Sequence, residues 1–190
     1  MDMAQGLTVV FDCNIYVTAA QAIGYSGSLA DLEHIAPTLP FYRRKRAESL
    51  LWALKGGAGP VKFHVGWSNH IWKTVQHVLQ HKYRWEIDDA VRFTDCVQMD
   101  LIDGTDGYVV DPVAEGFIRM DDHEDSSVYE TARVLTDHPP VLLVADDMSF
   151  IQKVAYYHDH PQGATALITA STSRDFCTFC ESLQATQSCC

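Results

Sequence analysis

Leu7-Thr8-Val9-Val10-Phe11-Asp12-Cys13-Asn14 is the stretch on which the fold turns: five apolar or β-branched residues, unbroken, ending at a carboxylate and an amide. A run of this kind forms a strand covered on both faces, as at the centre of a parallel sheet. Ligands of open α/β sheets sit just beyond the carboxyl ends of the strands, where Asp12 and Asn14 fall. A carboxylate at the mouth of a buried strand is costly unless something pairs with it, and this placement predicts a metal ion as the partner.

A second run of the same type, Val141-Leu142-Leu143-Val144-Ala145, follows Pro139-Pro140 and also stops on acids, Asp146-Asp147. Shorter strands are predicted at Val61–Val65, Tyr108–Val110 and Thr165–Thr169. Helical periodicity fills the spaces between them. Ile15–Ile23 makes a short helix, and a basic helix carries Ala47, Leu50, Leu51 and Leu54 with Gly56-Gly57 as its stop. Ser68 has the place of an N-cap before a stripe of Ile71, Val75, Val78 and Leu79. Further helices run over Asp88–Leu101 and through Ile151, Val154 and Ala155. Another opens at Asp121-Asp122-His123-Glu124-Asp125 and buries Val128, Ala132 and Leu135, with Ser127 and Glu130 at capping-box spacing. Residues 24–40 read as a loop or small insertion, and 177–190 as a polar C-terminal tail. The expected fold is α/β, three layers, with a central, mostly parallel sheet of four or five strands flanked by helices.

The composition, 47% hydrophobic and 21% charged over 190 residues, is that of one globular domain. No apolar run has the ~20 residues of a membrane span, and the N-terminus lacks the basic start of a signal peptide, so the cytoplasm is the expected compartment. Six irregularly spread cysteines predict thiols and no disulfide framework. The net charge of −11 is uneven: residues 41–92 hold ten of the fourteen Lys and Arg against four acids, a balance of +6 that leaves −17 elsewhere. All four tryptophans share that segment. Arg43-Arg44-Lys45-Arg46 lies in the first turn of the basic helix, where cations oppose the dipole, which predicts that they serve a partner. Basic residues interleaved with aromatics can track and stack RNA.

Carboxylates gathered at one edge raise each other's pKa unless a cation neutralises them. A cluster of hard oxygen ligands suits Mg²⁺ or Mn²⁺ and metal-dependent phosphodiester hydrolysis. There is no Gly-rich phosphate loop, no Gly-x-Ser-x-Gly and no dinucleotide fingerprint to point elsewhere.

At three places the residues resemble the PIN domain family, whose members are mostly metal-dependent ribonucleases. Val9-Val10-Phe11-Asp12-Cys13-Asn14 looks like its opening strand with Asp-x-Asn. Glu124-Asp125-Ser126-Ser127-Val128-Tyr129-Glu130-Thr131-Ala132 is similar to its third motif, with the acid on Asp125. Leu143-Val144-Ala145-Asp146-Asp147-Met148-Ser149-Phe150 resembles its strand ending in Thr-x-Asp, with Ala145 for the Thr, Asp147 for the acid and Ser149 at a position often polar. The closing strand and its following Phe have a counterpart in Ile168-Thr169 through Phe176, so the resemblance spans 7 to about 176. The family's Glu on the helix after the second strand falls on Thr74, and no acid occurs between Ser68 and Tyr83. The resemblance implies Mg²⁺ or Mn²⁺ held by Asp12, Asp125 and Asp147 and oriented by Asn14, with Asp122, Glu124 or Asp146 replacing the missing charge. It implies RNA as substrate along Arg43, Arg44, Lys45 and Arg46. An antitoxin protein, as for family members that are toxins, and a second copy of the chain are the protein partners it suggests. A degenerate PIN domain that binds RNA or protein without cutting is the alternative. Two competing readings carry less: a zinc site from His77, His81, Cys177 and Cys180, and a receiver-like phosphoacceptor domain, which the lack of any Lys after Lys153 argues against.

Overall fold

Strand β1 (Gln5–Phe11) lies at the middle of the sheet, with Val9, Val10 and Phe11 fully buried. The computed structural model describes residues 5–111, 123–138, 140–160 and 167–187. β1 pairs in parallel on one side with β3 (Val61–Ser68), Val9 opposite Val65. On its other side it pairs in parallel with β5 (Val141–Val144), Phe11 opposite Val144. β4 (Tyr108–Val110) extends the sheet beyond β3, and β6 (Ile168–Ser171) beyond β5, both in parallel. A two-residue strand, β2 (Gly57–Ala58), turns back antiparallel on β3 and makes the sixth strand. The prediction of a mostly parallel α/β sheet holds, and β2 is the strand that periodicity could not reveal.

Counting the parallel strands alone, the spatial order is third, second, first, fourth, fifth. The chain builds outward from β1 to one side, then crosses to β5 and builds to the other. The point of reversal lies between β1 and β5, the place where open α/β sheets bind ligands. Receiver domains use a different order, with the second strand outside the first and the third inside it. The receiver-like reading is therefore overturned by the sheet.

The helices are α1 (Cys13–Ile23), the one-turn α2 (Leu32–Ile35), α3 (Phe41–Leu54), α4 (Asn69–Tyr83), α5 (Ile87–Cys96), α6 (His123–Val134), α7 (Met148–Asp159) and α8 (Ser173–Gln187). α5 continues into a wider turn at Val97–Ile102. Ser68 caps α4 as predicted, its hydroxyl accepting from the Ile71 N–H at 3.3 Å, and Ile71, Val75 and Leu79 are buried. Gly56 ends the α3 region at φ +73°, a conformation glycine adopts at little cost.

Several expectations need correction. Residues 24–40, expected as a loop or small insertion, hold two short 3₁₀ turns and α2, which place Leu29, Leu32 and Ala36 in the core. The last strand extends two residues past its expected end, to Ser171, because the register Val141↔Ile168 to Val144↔Ser171 decides it and not the apolar run alone. α7 buries Phe150 and Val154, while Ala155 faces solvent. Ser127 lies inside α6, its carbonyl accepting from the Thr131 hydroxyl, so the Ser127–Glu130 spacing is not a capping box. Glu130 is instead paired with Arg133 at 2.6 Å.

The largest correction is α8. The predicted polar tail 177–190 is, as far as Gln187, a helix packed on α3 with Phe176, Cys177 and Cys180 buried. Phe176 sits edge-on to Phe11 at 6.0 Å and against Phe63 at 5.5 Å, closing the core over β1 and β3. The described cysteines are free thiols, as expected, and no described helix is long and apolar enough to cross a membrane. Replacing Phe176 by alanine should cost about 3–5 kcal/mol in urea unfolding, the usual range for an emptied aromatic site. A chain ended after Phe176 should lose its cooperative unfolding transition; an unchanged transition there would restore the tail.

Candidate functional site

Asp12 leaves β1 and precedes α1, in the position of a helix N-cap with extended backbone angles (φ −63°, ψ 147°). An aspartate there ordinarily accepts from the N–H groups one turn in. This one makes no such cap. Its carboxylate is turned toward α6, only 7% exposed, and takes the Asn14 side-chain amide on Oδ2 at 3.2 Å. Burial, reinforced by the nearby Glu124 and Asp125 charges and opposed by the Asn14 bond, pushes its pKa up to about 6. α6 carries those two acids at its N-terminus, where the positive end of the helix favours them.

Asp12, Cys13 and Glu124 each offer a ligand atom, all within 4.8 Å of one another. Among the described residues this is the one group of three or more such side chains. Cys13 is fully buried, and its thiol is held protonated well above its ordinary range by burial, by the Asp12 charge and by bonding to Glu124. A soft sulfur is a weaker partner for a hard cation than the two carboxylates beside it. The Asp12 and Glu124 carboxylate oxygens lie within 4.8 Å of each other. Oxygen donors of this kind suit a hard divalent cation.

The other expected site residues are distributed unevenly. Asp147 stands at the same sheet edge, three residues beyond the β1–β5 pair Phe11↔Val144. It is spent locally: Oδ1 accepts from Ser149 N–H at 2.7 Å, the Ser149 hydroxyl at 2.8 Å and Phe150 N–H at 3.2 Å, capping α7. Those bonds hold its pKa below the usual carboxylate range. Ser149 thus serves the cap rather than a ligand. Asp146, expected as a spare charge for the site, is paired with Arg46 at 2.7 Å and bonded to Ser173. Asp122 lies outside the described residues. Of the two described residues expected to replace the missing acid, Glu124 is the one grouped with Asp12. Thr74, at the family's Glu position, is paired with His70 at 3.2 Å.

The basic turn also needs correction. Arg43 donates to Gln21, Arg44 to the Leu39 carbonyl, Lys45 to Glu48, and Arg46 to Asp146 and Thr18. All four are half-buried and hold the fold together, so they are not a solvated face waiting for a partner. Trp67 and Trp85 are buried, and Trp52 and Trp72 pack against the same core. Tryptophans that look like a stacking surface in the sequence are core. Phe41 and Tyr42, 49% and 79% exposed, are the exposed aromatics of the segment. His77 and His81 stack on each other on α4 and are not brought to Cys177 and Cys180, so the zinc reading is not supported.

What the sequence missed is a chain of contacts across the reversal point. Asp146 binds Arg46, Arg46 reaches the Thr18 hydroxyl at 3.3 Å, Thr18 donates to the Asn14 carbonyl, and Asn14 holds Asp12. Residues a hundred positions apart gave no local signal of this. No family model, no curated protein and no solved structure matches the chain.

The raised pKa of Asp12 has a definite consequence for stability. Below pH ~4 the group is protonated whether folded or unfolded; between ~4 and ~6 only the folded state keeps the proton; above ~6 the buried charge opposes folding in full. The two-unit shift corresponds to about 3 kcal/mol. Metal-free Asp12→Asn should therefore be more stable than wild type at pH 7.5, and the difference should shrink as pH falls toward 4. Thermal unfolding in EDTA across that range measures it; a pH-independent difference refutes the buried charge.

Proposed function

We propose that the chain is a divalent-metal-dependent endoribonuclease of the PIN type. The observation that carries this reading is the uncapped, buried Asp12 carboxylate meeting Glu124 and Asp125 at the sheet's reversal point. The end of α6 favours Glu124 and Asp125, but nothing of that kind offsets the buried Asp12 charge beside them, which costs stability unless a cation neutralises it. Asp12 and Glu124 would hold the ion, Asp125 would add charge from the same helix turn, and Asn14 fixes the rotation of Asp12. When bound, a divalent ion supplies the positive charge that a phosphodiester needs as negative charge builds on it. The thiol of Cys13 keeps Glu124 in place by its hydrogen bond. Asp147 would enter through the oxygen that its cap leaves unused, Oδ2.

The sequence motifs that resemble the family add support: the acidic run of the third supplies Glu124, grouped with Asp12, and Asp125, whose charge acts on Asp12. One specific observation favours the second reading, a non-catalytic RNA- or protein-binding PIN-like domain: Thr74 stands where the family has an acid.

The deciding measurement pairs metal binding with cleavage. Mn²⁺ at a hundred times its dissociation constant should stabilise the wild type by about 2.7 kcal/mol. That gain should vanish in Glu124→Gln and in Asp12→Asn. Labelled single-stranded RNA should be cut in Mn²⁺ or Mg²⁺, not in EDTA, and at least a hundredfold more slowly by Asp125→Asn prepared identically. Stabilisation without cutting selects the non-catalytic reading, and neither effect sinks both the metal site and the nuclease.

A further inference from the structure

Cys13 opens α1 directly after Asp12 and is a buried, free thiol. Its Sγ lies within 4.8 Å of a carboxylate oxygen of Asp12 and of one of Glu124, so the group offers two hard donors and one soft one. A hard ion such as Mg²⁺ uses the oxygens and gains little from the sulfur. Zn²⁺ lies between hard and soft. It is bound by cysteine sulfur as well as by aspartate and glutamate oxygen, and three protein ligands with one water complete its shell. At a given site it also binds more tightly than Mn²⁺.

A second observation lies behind the thiol. Tyr16 is fully buried, its ring held edge-on by Phe11 at 6.0 Å and by Trp67 at 4.7 Å. Its hydroxyl has no hydrogen-bond partner among the described residues. Tyr16 follows Cys13 by one helical turn, and a helical side chain leans back over the turn before it. Cys13 and Asp12 are accordingly the charged groups that act on this hydroxyl. A buried O–H without an acceptor costs stability, and phenylalanine would fill the same space without that cost. The protonated thiol, which donates to Glu124, is a poor acceptor, whereas a thiolate is a strong one. Outer donors of this kind commonly hold the ligands of a metal site in place.

We propose that Asp12, Cys13 and Glu124 form a binding site for Zn²⁺ in which the Tyr16 hydroxyl donates to the Cys13 sulfur, and that Zn²⁺ bound there blocks the Mg²⁺- or Mn²⁺-dependent activity. The inhibitory half rests on the nuclease reading; the binding half does not. Cys13 releases its thiol proton to solvent as the sulfur–zinc bond forms, and no oxidation state changes. Zn²⁺ and the activating ion need the same two carboxylates, so they compete for one place. The sulfur makes that competition unequal, because it adds a strong bond for Zn²⁺ and little for a hard ion.

Co²⁺ reports on the sulfur directly, since a cobalt–thiolate bond gives near-ultraviolet charge-transfer absorption that oxygen ligands do not. The full chain, stripped of metal and titrated with Co²⁺, should gain this band, and Zn²⁺ should erase it. Cys13→Ser should lose it, and should weaken Zn²⁺ binding about tenfold or more beyond any effect on Mn²⁺ binding. Tyr16→Phe removes one buried oxygen and keeps the packing; it should fold at least as stably without metal and show the same selective loss of Zn²⁺ affinity, again about tenfold. A band of equal strength in wild type and Cys13→Ser overturns the site, as does Zn²⁺ affinity that neither substitution changes relative to Mn²⁺. In the cleavage assay, the Zn²⁺ needed to halve Mn²⁺-dependent cutting should rise about tenfold in Cys13→Ser. Equal inhibition of the two proteins overturns the regulation. A Cys13-dependent band in a protein that cuts no RNA upholds the zinc site and removes the nuclease.

Discussion

A carboxylate buried at the end of the central strand is the constraint around which this molecule is arranged. Asp12 has a capping role open to it and does not take it; its neighbours across the sheet edge are other acids. Such a group is unfavourable in isolation, and the fold tolerates it because β1 is supported on all sides. Fully buried Val9, Val10 and Phe11 are packed by both flanking strands and by Phe176 from α8. The core holds the site in an arrangement that the site itself disfavours, as expected where a functional requirement competes with stability.

The second organising feature is the Arg46–Asp146 pair. Both side chains are partly shielded, and the pair joins α3 to the end of β5. Ion pairs at such exposure contribute little to net stability but hold register and orientation when each partner has further bonds. Here Arg46 also reaches Thr18 and Asp146 also accepts from Ser173, so α1, α3, β5 and α8 meet at one point. The α8 helix is therefore part of this junction and not an appendage. Its buried Cys177 and Cys180, their thiols pushed up to about 12 by burial, act as small apolar groups against α3.

Much of the fold was legible in the chain, and the illegible parts share a cause. Leu7–Phe11 and Val141–Val144 announce buried strands because both faces of each are covered, so every residue is apolar or β-branched. Ser68 announces its helix because a cap is chemistry local to three or four residues. α8 is hidden because its buried stripe is made of cysteines and phenylalanine among polar neighbours, and its burial depends on α3, more than a hundred residues earlier. The candidate site divides in the same way. That Asp12, Asp125 and Asp147 come to one sheet edge follows from strand ends and order; that Asp147 turns to cap α7 while Glu124 turns toward Asp12 is a matter of rotamers, which spacing cannot express. The basic turn misled for a related reason. Cations placed against a helix dipole look surplus until Asp146, Glu48 and the Leu39 carbonyl are seen to be waiting for them.

Neutralising those cations internally changes how the molecule can meet an anionic chain. With a net charge of −11, and with Lys45 and Arg46 of the densest basic run tied into ion pairs, the overall field repels a polyanion and offers little steering at a distance. If the chain is the nuclease proposed above, attraction would have to come from contact, with positive charge carried to the sheet edge by an ion held between Asp12 and Glu124. Such an attraction is short-ranged, so it would act only on an anion already brought against the ends of β1 and β5.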